Sequence, residues 1–295
     1  MRALLIGNPG AGRGRQDWAG LVAALSGAGI EAELATTERP GHAVDLARGA
    51  RNGRRELVIA AGGDGTVHEV VNGLLGGGPA PEVPALGVVP LGSGCDYAKT
   101  FDIPTDIEGA VALIASERPA TPVDAGEVTF VGGSRYFANI AEVGIGPETV
   151  ARALGLPRAL GGAVYGLGFL MTLPVYRRRQ ARIVMDDGSY DGDLMNLVVA
   201  VGRVFGGGMR VAPGAHPSDG LFDVQVHHPS KAQYVANLPK VYKGTHLPHP
   251  KIREGRTTSV QIACDPPGLI EADGEVLGTT PATFRILPHA LRVKA

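Results

Sequence analysis

Leu57-Val58-Ile59-Ala60-Ala61-Gly62-Gly63-Asp64-Gly65-Thr66 runs five apolar residues straight into a glycine turn that carries one carboxylate. An uninterrupted apolar run bounded by turn residues suits a strand buried on both faces, as in a parallel sheet. The pattern occurs twice more. Residues 3–6 lead into Asn8-Pro9-Gly10-Ala11-Gly12, and residues 85–89 into Pro90-Leu91-Gly92-Ser93-Gly94-Cys95-Asp96. Loops leaving the carboxyl ends of parallel strands gather on one edge, so three such turns can surround one ligand. Glycine lets the backbone turn its amides toward an anion, and a following helix adds its positive amino end. The three loops therefore point to a phosphate site. Asp64 would repel a phosphate unless a divalent cation lies between them.

Outward from this segment the first ~125 residues alternate strand and helix patterns, as an open α/β unit does. Strands are expected at 3–6, 31–35, 57–61 and 85–89, and helices at 17–26, 41–51, 67–75 and 107–116, the last capped by Thr105 or Asp106. After Val123 the pattern changes to short alternating runs, at 181–185, 194–201, 221–226, 258–262 and 283–287. These read as an antiparallel, β-sandwich-like domain with inserted helices near 147–176 and 231–243. Leu238-Pro239 is expected to end or kink the second of these helices. The division follows: 1–123 as the α/β domain, with the tail 286–295 packing back on it, and 124–285 as the β-rich domain.

Composition narrows the function classes. With 44% hydrophobic and 19% charged residues in 295, the chain is that of a soluble globular protein. A formal net charge of −1 gives no support to nucleic-acid binding. Two cysteines, Cys95 and Cys264, make neither a disulfide framework nor a metal cluster, which suits a reducing cytoplasm. The uncharged segment 159–176, followed by Arg177-Arg178-Arg179, is interrupted by four glycines and Pro174, so a buried helix beside an apolar pocket is favoured over a membrane span. The arginines read as a solvated patch or as a contact with an anionic membrane surface. His227-His228 and the His246, His249 pair read as solvent-facing loop residues. Two other phosphate motifs fail: Gly10, Gly12 and Gly14 lack dinucleotide-turn spacing, and Lys99-Thr100 follows Ala98 where a Walker loop needs glycine.

The ordered set Asn8-Pro9, Gly62-Gly63-Asp64-Gly65-Thr66-Val67-His68-Glu69, Pro90 to Asp96, Phe205-Gly206-Gly207-Gly208, Ser218-Asp219-Gly220-Leu221-Phe222-Asp223 and Glu271-Ala272-Asp273-Gly274-Glu275 resembles the diacylglycerol kinase catalytic-domain family. This family includes soluble bacterial lipid kinases and sphingosine kinases. The resemblance implies an ATP-dependent, Mg2+-assisted kinase acting on diacylglycerol or a long-chain alcohol. Its nucleotide-binding residues would be Asn8, Pro9, Gly12, Arg13, Thr37, Gly62, Gly63, Asp64, Gly65, Thr66, Val67, His68, Ser93 and Glu275. Asp64 and Asp273 would be catalytic, Asp273 as general base. Asp64, Asp96 and Asp124 would hold the catalytic Mg2+ through waters. His216, Asp219 and Leu221 would hold a second Mg2+, the first and last through backbone carbonyls. It further implies a cytoplasmic protein in transient peripheral contact with the inner face of the membrane, and is compatible with a homodimer.

Plain structural readings stand beside these roles. Asp273-Gly274 could be only a hairpin turn, Asp219-Gly220 only a turn, and Asp124 only a strand-end acid. Cys95 stands where relatives have asparagine, replacing an amide by a weak hydrogen-bonding thiol. Two other functions compete. One is an NAD kinase, which shares the Gly-Gly-Asp-Gly loop but fits neither the third loop nor Asp273-Gly274-Glu275. The other is a nucleotide- or lipid-binding protein without turnover.

Overall fold

A computed structural model describes residues 1–12, 16–53, 55–80, 83–157 and 163–295. The chain divides into two units. Unit 1 comprises Met1–Asp124 with His289–Ala295, and unit 2 comprises Ala125–Pro288.

Unit 1 alternates β1 (Arg2–Gly7), α1 (Trp18–Gly27), β2 (Glu31–Thr36), α2 (His42–Asn52), β3 (Leu57–Gly62), α3 (Asp64–Leu75), β4 (Ala85–Pro90), α4 (Asp96–Thr100) and α5 (Ile107–Ala115). The strands are parallel in the order β2-β1-β3-β4, so the order reverses between β1 and β3, where open sheets of this type take their ligands. Leu57, Ile59, Ala3 and Leu5 pack on α1 and α5 through Leu21, Leu25, Ala110 and Ile114. Alternate residues Leu4, Ile6, Val58 and Ala60 are buried as well, which is why the strands read as unbroken apolar runs. Of the two candidate caps for α5, Asp106 serves, its Oδ1 accepting from the Gly109 amide at 2.7 Å. Helix α3 starts at Asp64, three residues before the expected Val67, so the end of the glycine loop is already its first turn.

Unit 2 is the expected antiparallel domain. It begins within β5 (Thr121–Phe130) and continues through β6 (Gly133–Phe137), β7 (Ile140–Gly144), α6 (Ile145–Ala153), α7 (Ala163–Val175), β8 (Arg179–Met185), β9 (Gly188–Leu194), β10 (Asn196–Ala200), β11 (Phe222–His227), α8 (Lys231–Lys243), β12 (Ile252–Thr257), β13 (Ser259–Asp265), β14 (Leu269–Ala272), β15 (Glu275–Thr279) and β16 (Ala282–Val293). One sheet runs β12-β11-β10-β7-β14-β15. Its inward residues, among them Ala141, Val143, Leu197, Val199, Val224 and Ile270, share a core with Phe137, Ile183, Val260 and Phe284 of the facing strands. The last residues of β16 lie in unit 1, where Val293 pairs with Leu86 of β4.

Three expectations are corrected here. Pro239 does not end α8, because a capping box at Ser230 and Gln233 and a left-handed Gly244 fix the helix at both ends. Helix α7 is buried on one face only: Gly168 and Thr172 are buried and Phe169 and Leu173 pack on Ile145, Tyr176 and Met195, while Tyr165, Leu167, Leu170, Met171 and Val175 are exposed, and residues 158–162 of that segment lie outside the described set. His227 and His246 are buried rather than solvent-facing. His227 sits in β11 with Gln225 Oε1 at 3.0 Å from its Nε2, and burial holds its pKa down to about 3. Among the described residues no helix is long and apolar enough to cross a membrane.

Candidate active site

The three glycine loops of unit 1 meet. An added Cβ on Gly92 would lie 2.6 Å from Gly63 Cα, and one on Gly12 would lie 2.6 Å from the Leu91 carbonyl oxygen. Only residues without side chains allow this approach. Asn8 ties the first loop to the second, donating from Nδ2 to Thr66 Oγ1 at 3.0 Å, while its Oδ1 accepts from the Gly10 amide at 2.9 Å. The Leu91 amide donates to the Gly62 carbonyl at 2.8 Å, tying the second loop to the third. The amino end of α3 opens from Gly63 with no side-chain cap, leaving its first amides directed at the loop edge.

The acids lie among these loops. Asp64 Oδ1 accepts from the Tyr97 amide at 3.0 Å. Its Oδ2 is 2.9 Å from the position of a Cβ on Gly94, and Asp96 Oδ2 is 3.9 Å from the same point, so Gly94 leaves room between the two carboxylates. Lys99 Nζ stands 3.4 Å from Asp96 Oδ1. Asp124 is fully buried, and its Oδ1 accepts from the His289 amide at 2.8 Å. Among the described residues no three His, Cys, Asp or Glu side chains gather as direct metal ligands.

Thr37 donates its amide to the Gly7 carbonyl at 2.8 Å, beside the first loop, and Ser93 is exposed in the third. His68 and Val67 are buried in α3, with the Asn72 amide nitrogen 3.3 Å from His68 Nε2. Arg13 lies outside the described residues. Cys95 adopts a left-handed conformation, φ 51°, and its thiol donates to the Gly92 carbonyl at 3.1 Å. Asparagine tolerates that conformation better than most residues.

In unit 2, Asp273 and Gly274 form the two-residue turn joining β14 to β15, both left-handed, with φ 50° and 90°. The turn does more than reverse the chain. Asp273 Oδ2 accepts from the Ala138 amide at 3.0 Å, and Oδ1 accepts from Asn139 and Ile140 at 3.1 Å each. The carboxylate plane is thereby fixed to the segment linking β6 and β7. Glu275 is exposed at the start of β15.

Two family models match: the diacylglycerol kinase catalytic domain over residues 2–128, and the YegS C-terminal NAD kinase beta sandwich-like domain over residues 140–295. The chain is 30% identical over 299 residues to a diacylglycerol kinase of Staphylococcus epidermidis, covering 99% of this chain and 91% of that protein. The chain belongs to the diacylglycerol kinase family. A Staphylococcus aureus diacylglycerol kinase is likewise 30% identical over 301 residues, covering 100% of this chain and 92% of its own. The fold matches the crystal structure of a diacylglycerol kinase from Bacillus anthracis with a TM-score of 0.74 at 21% identity, over 99% and 96% of the two chains. A second Bacillus anthracis structure gives 0.79 at 24% identity, with the same coverage. Family membership makes the chain a kinase.

Within this diacylglycerol kinase family member the second metal group from the sequence is differently engaged. Asp219 Oδ1 accepts from the Leu221 amide at 3.1 Å, its Oδ2 is paired with the Arg256 guanidinium, and the His216 carbonyl accepts from the Ser218 amide at 2.8 Å. An ion there would have to compete with Arg256 for Asp219. Arg178 and Arg179 are ion-paired, with Asp193 at 3.4 Å and Glu148 at 2.9 Å. Sequence reasoning weighed Lys99 only as a Walker-loop residue, and passed over the His289 amide on Asp124 and two buried acids of unit 2, Glu142 and Glu271. The available signal for the last two was a charged residue inside each of two apolar strands.

Proposed function

We propose that the protein transfers the γ-phosphate of ATP to a hydroxyl of a diacylglycerol-like lipid, giving phosphatidate or an analogous lipid phosphate. The observation that carries this reading is the close packing of three glycine loops beside Asp64, in a chain of this family. The amides of Gly62, Gly63, Gly65 and Gly12, the amino end of α3 and the hydroxyls of Thr66 and Ser93 hold the triphosphate, with Asn8, Pro9, Arg13, Thr37, Val67, His68 and Glu275 completing the nucleotide contacts. Asp64 and Asp96 offer hard oxygen donors on either side of the space at Gly94, a set that fits Mg2+, with Asp124 reached through water. Mg2+ bound there would neutralise charge on the phosphoryl oxygens.

Asp273 takes the proton of the acceptor hydroxyl as that oxygen bonds to the γ-phosphorus and the bond from the γ-phosphorus to the bridging oxygen breaks, releasing ADP. Its three backbone amides hold the carboxylate in one orientation, which removes the reorganisation a free side chain would need. The exposed apolar side chains of α7, with Arg177 beside them, support contact with the inner membrane face by an otherwise cytoplasmic protein. The match to an NAD kinase beta sandwich-like domain favours one alternative, a soluble nucleotide acceptor.

The test offers Mg2+ and radiolabelled ATP with a panel of lipids in mixed micelles, and with NAD in parallel, to the wild type and to Asp273→Asn. Label entering a diacylglycerol only with the wild type supports the reading. Label in NAD alone moves the protein to the alternative, and ATP binding without any transfer leaves a binding protein.

A further inference from the structure

Glu142 in β7 and Glu271 in β14 are direct cross-strand partners, and both are buried. Their neighbours Ala141, Val143, Ile270 and Ala272 enter the sandwich core, so the two glutamates share the opposite face of the sheet. Glu142 Oε1 accepts from Asn196 Nδ2 at 2.8 Å, and Asn196 Oδ1 accepts from the Gly146 amide at 3.1 Å, at the start of α6. The other Glu142 oxygen fills the space that a Cβ on Gly146 would need. Glu271 Oε2 accepts from the Gly274 amide at 2.8 Å, while Oε1 is buried with no hydrogen-bond partner.

No cation compensates the pair: among the described residues neither carboxyl has an ion-pair partner. From β10 comes the neutral Asn196, and from α8 Tyr234, whose hydroxyl is held neutral by burial and by Glu142. The turn and β15 bring Asp273 and Glu275, which both act against charge on Glu271. On α6, Glu148 engages Arg152 and Arg179. Burial raises the pKa of Glu142, and burial together with the Glu142 charge raises that of Glu271, each above the ordinary glutamate value of 4.5. Two carboxylates side by side away from water cannot both ionise at modest cost. An acid proton on one is also the donor that the orphaned Glu271 oxygen lacks.

We propose that Glu142 and Glu271 share one proton, and that the protonated pair is a positioning device which holds the Asp273-Gly274 turn through the Gly274 amide. Glu271 is thus a positioning residue and Glu142 its proton partner. Neither touches the reacting atoms. The positioning half rests on the reading of Asp273 as base, whereas the shared proton does not.

The full-length chain is compared with Glu142→Gln, Glu271→Gln and Glu271→Ala by thermal unfolding across pH and by lipid phosphorylation. A carboxyl whose folded pKa is raised stabilises below its ordinary value and loses that stabilisation as pH rises through the folded value. Wild-type Tm should therefore fall as pH rises above 4.5, and either Gln variant should remove most of that slope. An unchanged slope in both Gln variants overturns the shared proton, whatever Asp273 does. In catalysis, Glu271→Ala should lower kcat about tenfold with the KM for ATP unchanged, and Glu271→Gln, which keeps an acceptor for Gly274, should retain most of kcat. Both Gln variants should flatten the alkaline limb of the rate profile. Wild-type kcat in Glu271→Ala overturns the positioning role. If Glu271→Ala does not fold, an unflattened alkaline limb in Glu142→Gln overturns it instead. Full activity of Asp273→Asn with a normal Tm slope overturns the base reading and the positioning built on it, and leaves the shared proton standing.

Discussion

Two acidic pairs sit in this molecule in opposite settings. Asp64 and Asp96 open α3 and α4 in unit 1, where Asp64 accepts from a backbone amide, Lys99 stands beside Asp96 and Gly94 leaves space between them. Glu142 and Glu271 lie inside unit 2, under α6, with one amide donor each and, among the described residues, no ion-pair partner. The first setting provides for negative charge and leaves room for a cation. The second penalises charge so heavily that a retained proton is the lower-energy answer. Equal residue chemistry thus serves two purposes, and what decides between them is the supply of donors and solvent rather than the side chain.

The comparison breaks most visibly at Asp64. Asp64→Asn keeps an acceptor for the Tyr97 amide but removes the charge, so phosphate transfer should fall about 1000-fold while Tm barely moves. If Tm falls with activity, Asp64 is structural and the contrast between the pairs is wrong.

His227 sharpens the comparison from the other sign. Its depressed pKa means that stability is fully present above the ordinary histidine value of 6.5 and is lost as pH falls toward about 3. Chemical denaturation across that range should show a loss of a few kcal/mol in the wild type and a flatter profile in His227→Gln. The glutamate pair should act in the opposite direction, so unit 2 is expected to be most stable at intermediate pH.

Smaller effects belong to the loops. Gly92→Ala would push a methyl group into Gly63 Cα and part the second loop from the third. The KM for ATP should rise about tenfold with modest change in Tm. Cys95→Asn should stabilise by about 0.5–1 kcal/mol, because asparagine accepts the left-handed backbone more readily. Isothermal denaturation measures that gain, and a loss of stability would show that the thiol bond to Gly92 matters more than the backbone.

Legibility in the sequence followed burial. The strands of unit 1 are covered on both faces, so residues 57–61 and 85–89 announce themselves as unbroken apolar runs, and the loops after them are marked by glycine. A parallel sheet brings the three loops to one edge, whereas the close approach of Gly63 and Gly92 depends on the conformation of each loop. Of the two outcomes expected at Pro239, an end or a kink, the end does not occur, because caps at Ser230 and Gly244 hold the helix through it. His227 misled because two adjacent histidines look like a loop, yet His227 is the last residue of β11, on the face opposite Val224 and Val226, where Gln225 and Tyr234 cover it. Glu142 and Glu271 were not singled out, because 140–144 and 269–272 are too short to stand out as strands. Their partnership was hidden further, because it depends on which strands become neighbours.

The most direct test of the account is label transfer from ATP to diacylglycerol by the wild type and by Asp64→Asn, with ATP and Mg2+ binding measured on the same samples. The account predicts phosphatidate from the wild type, and from the variant a folded protein with weakened Mg2+-dependent binding and almost no product. Comparable product from both would contradict the central claim that the glycine loops and Asp64 form the phosphate-handling centre.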